Sequence, residues 1–503
     1  MPAHPLPTDS APPTSTRPRG RALTILSAVL AVTFMVGALL GLALGPRARL
    51  ADTTSGDATL AREVRDAVGE GRGLQTLSVA RIENGRTTFA GLGDLDETDS
   101  AAPAPDTVYE LGSVTKTWTG MLLADAVKRG EMRLDAPLST YLPELAGTPA
   151  GTVTPQQLAT HTSGLPRLPS SMGLGSSLAV VRGDDPYRGQ SVEDVVAAAK
   201  GETLTEQGTF AYSNLGMALL GHAEARAAGT ATWSELATER IFRPLGMDST
   251  RIVDGDDAEE PGLALPHRAN GRRVSAWASS GNDPAGSSTR TTAADLARFA
   301  QAVIDGTAPG MAAVKPRVDA GKSRTIGLSW FAVPGEGGTY LWHNGGTGGS
   351  GSVLVVDRAE KRAAVVLGNS ATGPDDVGPV LIDRATARPA ASPFGWQSWV
   401  PVLLAAFFVA GTWWRAWRGR SRVNLVAGIA DAGTGAIIAR VLGPWHLLPV
   451  WLLGAILACG FVGAVFALLR MREAPTLPVG HRVTAVLDTV VSFAVLALAL
   501  LLL

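Results

Sequence analysis

A hydroxyl and an amine three residues apart, in Ser113-Val114-Thr115-Lys116, form the pair in this chain best suited to chemistry. On a helix that spacing puts both groups on one face, within reach of each other. A serine beside an amine is a nucleophile beside a base. The chain holds six lysines (Lys116, Lys128, Lys200, Lys315, Lys322 and Lys361), so a chance Ser-x-x-Lys is less expected than in a lysine-rich sequence. Tyr212-Ser213-Asn214 and His343-Asn344-Gly345 follow at domain-scale gaps, and the three motifs in this order say more than any one of them.

Each motif has a chemical reading and a plainer one. At a helix N-terminus, the Ser113 backbone N–H is free to donate to an oxyanion, and the helix dipole favours the developing charge. The plainer reading makes Ser113 an N-cap and Lys116 a solvated first-turn lysine. Buried, Lys116 would have a lowered pKa and could take the serine proton as a neutral amine. Such a base typically contributes about 10²–10⁴-fold. A Tyr212 phenolate held between cations could share that proton transfer, and Asn214 could hold a substrate amide carbonyl. The plainer reading is a turn in which Ser213 or Asn214 caps the next helix. His343 is expected to end a strand, with Gly345 letting a substrate backbone lie along the edge. An N–H near Gly346 is the candidate second oxyanion donor. The plainer reading is a glycine-rich hairpin with an incidental histidine. His161, in Thr160-His161-Thr162-Ser163-Gly164-Leu165, reads as a structural loop histidine rather than a second catalytic group.

These groups need elements to position them. Residues 77–82 alternate as a strand, and Glu83-Asn84-Gly85-Arg86 supplies an Asn-Gly turn before a second strand over 87–90. Ser113 opens a helical pattern that ends at Gly130 and, with Asp125 breaking a clean stripe, reads as a helix buried nearly all round. Residues 134–300 read as helices and loops. Strand patterns return over 327–333, 339–343, 352–356 and 363–367. Early strands, a helical middle and late strands predict an α+β domain, its one antiparallel sheet closed by both ends of the chain segment.

Composition bounds the rest. The 503 residues carry a formal net charge of -1, so no nucleic-acid partner is indicated. One cysteine, Cys459, excludes an intrachain disulfide and a cysteine metal cluster, and neither metal nor cofactor is expected. Residues 1–21 read as a disordered cytoplasmic tail. The apolar stretch 22–45 after Arg17, Arg19 and Arg21 reads as an uncleaved membrane anchor, with a cleaved signal as the alternative. Residues 396–503 read as a membrane domain, with four apolar runs at 399–414, 423–442, 447–469 and 483–503. Arg415, Arg418, Arg420 and Arg422, then Arg470, Arg472 and Arg482, fall on the cytoplasmic side if all four runs span, and residues 52–390 lie outside. Asp431, inside the second run, is expected to pair with Arg440 or to line a bundle.

Residues 52 to about 388 resemble the serine beta-lactamase-related family of class C beta-lactamases, D-alanyl-D-alanine carboxypeptidases of the same fold and related esterases. The resemblance rests on Ser113-Val114-Thr115-Lys116, Leu158-Ala159-Thr160-His161-Thr162-Ser163-Gly164-Leu165-Pro166, Tyr212-Ser213-Asn214, Pro244-Leu245-Gly246-Met247, Asp295-Leu296-Ala297-Arg298-Phe299 and His343-Asn344-Gly345-Gly346-Thr347. It implies a beta-lactamase/transpeptidase-like fold with Ser113 acylated and Lys116 and Tyr212 as the proton-transfer pair. His343 would help position the substrate and Tyr212. His343-Asn344-Gly345 stands where class C lactamases carry Lys-Thr-Gly, as in the peptidase and esterase branch. The wall usually formed by a glycine-rich stretch reads Ala285-Gly286-Ser287-Ser288-Thr289-Arg290. The expected protein is a membrane-anchored extracytoplasmic serine hydrolase acting on a peptide or small-molecule substrate, D-alanyl peptides first and small esters next. A receptor that binds penicillins or wall peptides without turnover and signals through the membrane helices is the alternative.

Overall fold

The computed structural model describes all residues except 1–17, 47–48, 96–99, 256–259, 384, 386–394, 419–420, 473–481 and 501–503. The chain divides into two compact units. One is built on Pro46–Ser398; the other gathers Met1–Gly45, Trp399–Gly443 and Pro449–Leu500.

The first unit is organised by β-strands. They are β1 (Thr54–Gly56), β2 (Thr76–Glu83), β3 (Arg86–Gly93), β4 (Val108–Glu110), β5 (Arg251–Ile252), β6 (Thr289–Thr292), β7 (Val318–Asp319), β8 (Thr325–Ile326), β9 (Phe331–Gly335), β10 (Gly338–Gly346), β11 (Gly351–Asp357) and β12 (Arg362–Gly368). Nine form one sheet in the order β1-β3-β2-β12-β11-β10-β9-β8-β7; β4, β6 and β5 form a small second sheet. Every neighbouring pair in the large sheet is antiparallel. β2 lies beside β12 with Val79 opposite Val366, so the two ends of the domain do close the sheet. Asn84 and Gly85 both take positive φ, 49° and 80°, the conformation that a two-residue hairpin turn demands.

The central strands are buried on both faces. Leu354 and Val356 of β11 face a core with the helices Thr115–Lys128, Asn214–Ala228 and Ala293–Asp305. Val353 and Val355, between them in sequence, face a second core with the helices Ala58–Val68 and Val377–Leu381. The period of two thus separates the layers. Helix Thr115–Lys128 is buried continuously from Thr115 to Ala126, as the broken stripe predicts. Asp125 is tolerated there because Arg129 and Arg240 both reach its carboxylate, at 2.6 and 3.4 Å.

Two strand boundaries differ from the sequence reading. Residues 327–330 are not a strand: Ser329 takes φ +61°, and the Leu328 carbonyl presses onto Gly120 of the buried helix. β10 does not end at His343 but continues to Gly346, which pairs with Gly351, so Asn344 and both glycines sit in the ladder.

In the second unit, four stretches among the described residues are long and apolar enough to cross a membrane: Ser27–Leu44, Trp396–Arg418, Arg422–Leu442 and Trp451–Met471. Helix Arg482–Leu500 contains a shorter apolar part, Thr489–Leu500. The first helix begins at Pro18, before the expected residue 22, and the expected tail otherwise lies outside the described residues. The run expected from Leu447 starts at Trp451, because Pro449 disfavours helical backbone at the residue before it. Asp431 pairs with Arg415 of the preceding helix at 2.8 Å rather than with Arg440. Gly454 meets Gly37 and Gly41 so closely that a Cβ on Gly454 would lie 2.0 Å from the Gly37 carbonyl oxygen, a small-residue contact that lets two helix backbones approach.

A Cβ on Gly120 would stand 2.0 Å from the Leu328 carbonyl oxygen, which is backbone and cannot rotate away. Gly120→Ala should therefore cost about 1–3 kcal/mol, more than the helix-propensity gain returns. The check is thermal unfolding of the full chain in detergent followed by near-UV circular dichroism; an unchanged midpoint contradicts this packing.

Candidate active site

Ser113 sits on a 3₁₀ turn, Gly112–Val114, that runs straight into the buried helix Thr115–Lys128. The turn is pressed against the end of β10. A Cβ on Gly112, at φ +62°, would lie 2.6 Å from the Gly346 nitrogen, and one on Gly345 would lie 2.9 Å from the Ser113 nitrogen. Glycine at these two positions is what lets the Ser113 and Gly346 amides sit side by side.

Lys116 follows one helical turn later and is fully buried. Its Nζ donates to Ser113 Oγ at 2.8 Å and to the Ala285 carbonyl oxygen. The unusual Ala285-Gly286-Ser287 stretch is therefore a working wall of the site. Burial first, and the Arg167 guanidinium second, hold the Lys116 amine well below the usual lysine range. Both effects favour the neutral amine over the ammonium beside the nucleophile.

Tyr212 hydrogen-bonds Ser113 from another side. Its ring centroid lies 5.2 Å from Lys116 Nζ and 5.4 Å from the Arg167 guanidinium. Burial pushes the phenol up to about 12, outweighing the Ser113 hydrogen bond and Arg167. The phenolate suggested by the sequence is thus replaced by a neutral phenol, a proton donor.

The support behind Tyr212 is local. Ser213 caps helix Asn214–Ala228: its Oγ accepts from the Gly216 N–H at 2.9 Å and donates to the Pro166 carbonyl at 2.7 Å. The Ser213 N–H donates to His161 Nδ1 at 3.2 Å, and the His161 ring lies 4.3 Å from that of Tyr212. Fully buried at φ +54°, His161 holds the tyrosine loop and has no exposed edge to offer a substrate. Asn214 donates to the Tyr187 hydroxyl at 3.3 Å, while its buried Oδ1 has no hydrogen-bond partner.

His343 differs from the expectation of a substrate-facing residue. It is fully buried, its Nδ1 is 2.6 Å from the Asn344 carbonyl oxygen, and its pKa is pushed down to about 3, by burial first and the Lys116 charge second. The reason is the strand period: Trp342 and Asn344, which alternate with it, line the cavity. A neutral His343 cannot act as a surrogate for a lysine cation. Arg167 and Arg324 bring positive charge to the cavity instead.

That cavity, about 480 Å³, opens beside Ser113 and Tyr212 and is walled by Phe210, Phe331 and Trp342. Arg324 lies over Phe331 and Trp342, 5.0 and 5.9 Å from the ring centroids. Asn344 donates to Asp375 at 2.9 Å on the same wall. A second cavity, of about 20 Å³, also touches Ser113 and Gly346 and is lined by Tyr187, Asn214 and Trp277.

One buried carboxylate fastens this assembly. Glu110 Oε1 accepts from the Trp277 N–H at 2.7 Å and from Arg290 at 3.3 Å; Oε2 accepts from the Thr347 and Ser350 hydroxyls at 2.7 and 3.1 Å. The sequence reading passed over Glu110, Arg167, Arg324, Tyr187 and Trp277, and gave Arg290 and Asn344 no role of their own. For Glu110 there was a signal, a charged residue closing an otherwise apolar strand three residues before the nucleophile. For the others the proximity is purely tertiary.

A family model described as Beta-lactamase matches residues 60–387. The chain is 30% identical over 196 residues to the D-alanyl-D-alanine-carboxypeptidase/endopeptidase AmpH of Escherichia coli (strain K12), covering 38% of this chain and 49% of that protein. It is 29% identical over 317 residues to penicillin-binding protein 4 of Amycolatopsis lactamdurans, covering 55% of this chain and 76% of that one. The chain thus spans about half the length of AmpH. The class C beta lactamase from Rhodobacter sphaeroides shares the fold at a TM-score of 0.55 and 24% identity, over 65% of this chain and 99% of that one. The beta-lactamase/D-alanine carboxypeptidase from Pseudomonas syringae does so at 0.55 and 20%, over 67% and 100%. With the family pattern running through well over half of its length, and with the sheet and serine–lysine pair that the pattern requires, the chain belongs to the beta-lactamase family.

Proposed function

We propose that this protein is a membrane-anchored serine hydrolase that opens an amide or ester bond through an acyl-enzyme on Ser113. The observation that carries the reading is the fully buried Lys116 amine 2.8 Å from the Ser113 hydroxyl, its pKa held down by that burial. Lys116 takes the Ser113 proton as Oγ bonds the carbonyl carbon. The N–H groups of Ser113 and Gly346 receive the oxyanion. Tyr212 gives its proton to the leaving group as that bond breaks, and the Lys116 ammonium restores it. Water or another acceptor then runs the same transfers in reverse, releasing the acid and regenerating Ser113. Asn214 and Gly345 border the bound substrate, and His343 acts from behind the strand by holding its neighbours in place.

The relatives named as D-alanyl-D-alanine carboxypeptidases support D-alanyl peptides as the first substrate class, and small esters are the next candidate. The four apolar stretches support membrane anchoring, and the arginines that follow the second and fourth of them support a cytoplasmic side for those loops. That topology leaves residues 46–398 outside. Protease added to intact spheroplasts should then digest this unit without lysis, and protection until lysis would reverse the orientation.

Three outcomes test the chemistry on the full chain in detergent. A fluorophosphonate or a fluorescent penicillin should label Ser113, as mapped by mass spectrometry. Ser113→Ala should abolish labelling with unchanged circular dichroism, and retained label in that variant sinks the mechanism. Lys116→Met, which keeps length but removes the amine, should slow acylation about 10²–10⁴-fold. Acylation should also fall as pH drops through the depressed Lys116 pKa, because the protonated amine cannot accept. It should hold through alkaline pH until Tyr212 ionises near 12. Label that forms but never leaves on any substrate would favour the receptor alternative.

A further inference from the structure

The large cavity beside Ser113 carries charge of both signs: Arg167 and Arg324 supply guanidiniums, and Asp375 supplies a carboxylate. The positive groups rest on rings, Arg324 over Phe331 and Trp342 and Arg167 over Tyr212. Asp375 has no such counterpart. Among the described residues no lysine, arginine or histidine forms an ion pair with it, and its one hydrogen bond is at Oδ2, which accepts from Asn344 Nδ2 at 2.9 Å. Resting on the acyl-enzyme reading above, we propose that Asp375 decides specificity by receiving a primary ammonium group of the substrate. The amides or esters opened at Ser113 are then those of amine-bearing compounds.

No structural task accounts for this carboxylate. Asp376 stands at the start of helix Val377–Leu381 and makes no side-chain cap bond, and Asp375 makes none to that helix either. Burial pushes the Asp375 carboxyl up, the Asn344 hydrogen bond opposes that, and the Asp376 charge raises it further. A carboxylate so placed gains from an incoming cation, which replaces the water it has lost. Space is left for one. Oδ1 lies beside Gly373, where an added Cβ would stand 3.0 Å away, and Gly373 also lines the cavity. One open oxygen suits a point charge. A guanidinium fork needs two oxygens side by side, and Asn344 occupies the other. An anionic substrate end would meet the Asp375 charge, and one of the two Asn344 amide N–H groups is already committed. Ser113 lines the same cavity, so a molecule seated on Asp375 shares its space with the nucleophile.

The test is competition for Ser113 on the full chain in detergent. The rate at which a fluorophosphonate labels Ser113 is measured with phenethylamine, phenylpropanoate or phenethyl alcohol present. All three bring a ring to the aromatic walls and differ in the polar end. The amine should compete about tenfold more tightly than either of the others, the usual scale for a hydrogen bond to a charged group. Asp375→Asn, which keeps an acceptor for Asn344, should erase that preference. Partition into detergent is the same for both chains and cancels in the ratio. Gly373→Ala should weaken the amine more than the alcohol, by crowding Oδ1 while leaving its charge. A carboxylate that competes better than the amine overturns the proposal. So does a preference unmoved in both variants, or no competition from any of the three. Calorimetric titration of amine and alcohol into Ser113→Ala separates the site from the chemistry. If Ser113 takes no label but calorimetry shows the preference, the acyl-enzyme reading fails and the ammonium site stands. If Ser113 takes label and neither readout shows the preference, the ammonium site fails and the acyl-enzyme reading stands.

Discussion

The ion pair between Glu110 and Arg290, both fully buried, is the contact on which the geometry of this site depends. Two charges taken out of water are costly, and the arrangement is stable only where further hydrogen bonds occupy the remaining positions. Here they do. The two oxygens of Glu110 receive four donors, from Trp277, Arg290, Thr347 and Ser350. Those donors come from a loop, from β6 and from the turn after β10, while Glu110 closes the strand that leads into Ser113. A single carboxylate thereby sets the distance between the nucleophile's turn and the Gly345-Gly346 edge. Hydroxyl donors at Thr347 and Ser350 suit the task, because they reorient to fit a fixed carboxylate.

Burial does a second task, in the opposite direction. Around Ser113 it strips charge from the groups that transfer protons. Lys116 is held well below its usual range, Tyr212 is raised to about 12, and His161 and His343 are both held down as neutral imidazoles. Each of these shifts is led by loss of water, and the positive neighbours reinforce those of the lysine and the histidines. The field of Arg167 favours a neutral Lys116, and any positive charge that forms on Lys116 disfavours charged histidines. A neutral amine against a neutral phenol is a poised pair: one accepts and the other donates without a prior ionisation step.

Much of this was legible in the sequence because it is local. Helix Thr115–Lys128 announced its burial by the failure of a clean stripe, the Asn84-Gly85 hairpin by its turn residues, and Ser213 by its place before an apolar helix. The sheet's closure followed from strands at both ends of the domain. What escaped was set by contacts between distant segments. His343 looked like a substrate residue, and only the register of β10 shows that its neighbours Trp342 and Asn344 have the exposed face. Asp431 had Arg440 on its own helix, yet packing against the preceding helix gave it Arg415. The walls Tyr187 and Trp277 lie 90 residues apart in the chain, and no period in either segment points to the other.

The two cavities that Ser113 lines differ because different kinds of structure build them. The large one is lined by strands near one edge of the sheet, where β9 and β10 turn Phe331, Trp342 and Asn344 toward it beside the guanidiniums of Arg167 and Arg324. The small one is lined by loops and a helix start whose backbones are all tied down, by Asp185, by Glu110 and by the Ala285 carbonyl that holds Lys116. Those bonds serve two ends at once: the Ala285 carbonyl holds Lys116 against Ser113 where it is buried from water, and the Glu110 clasp ties the strand before Ser113 to the turn after Gly346.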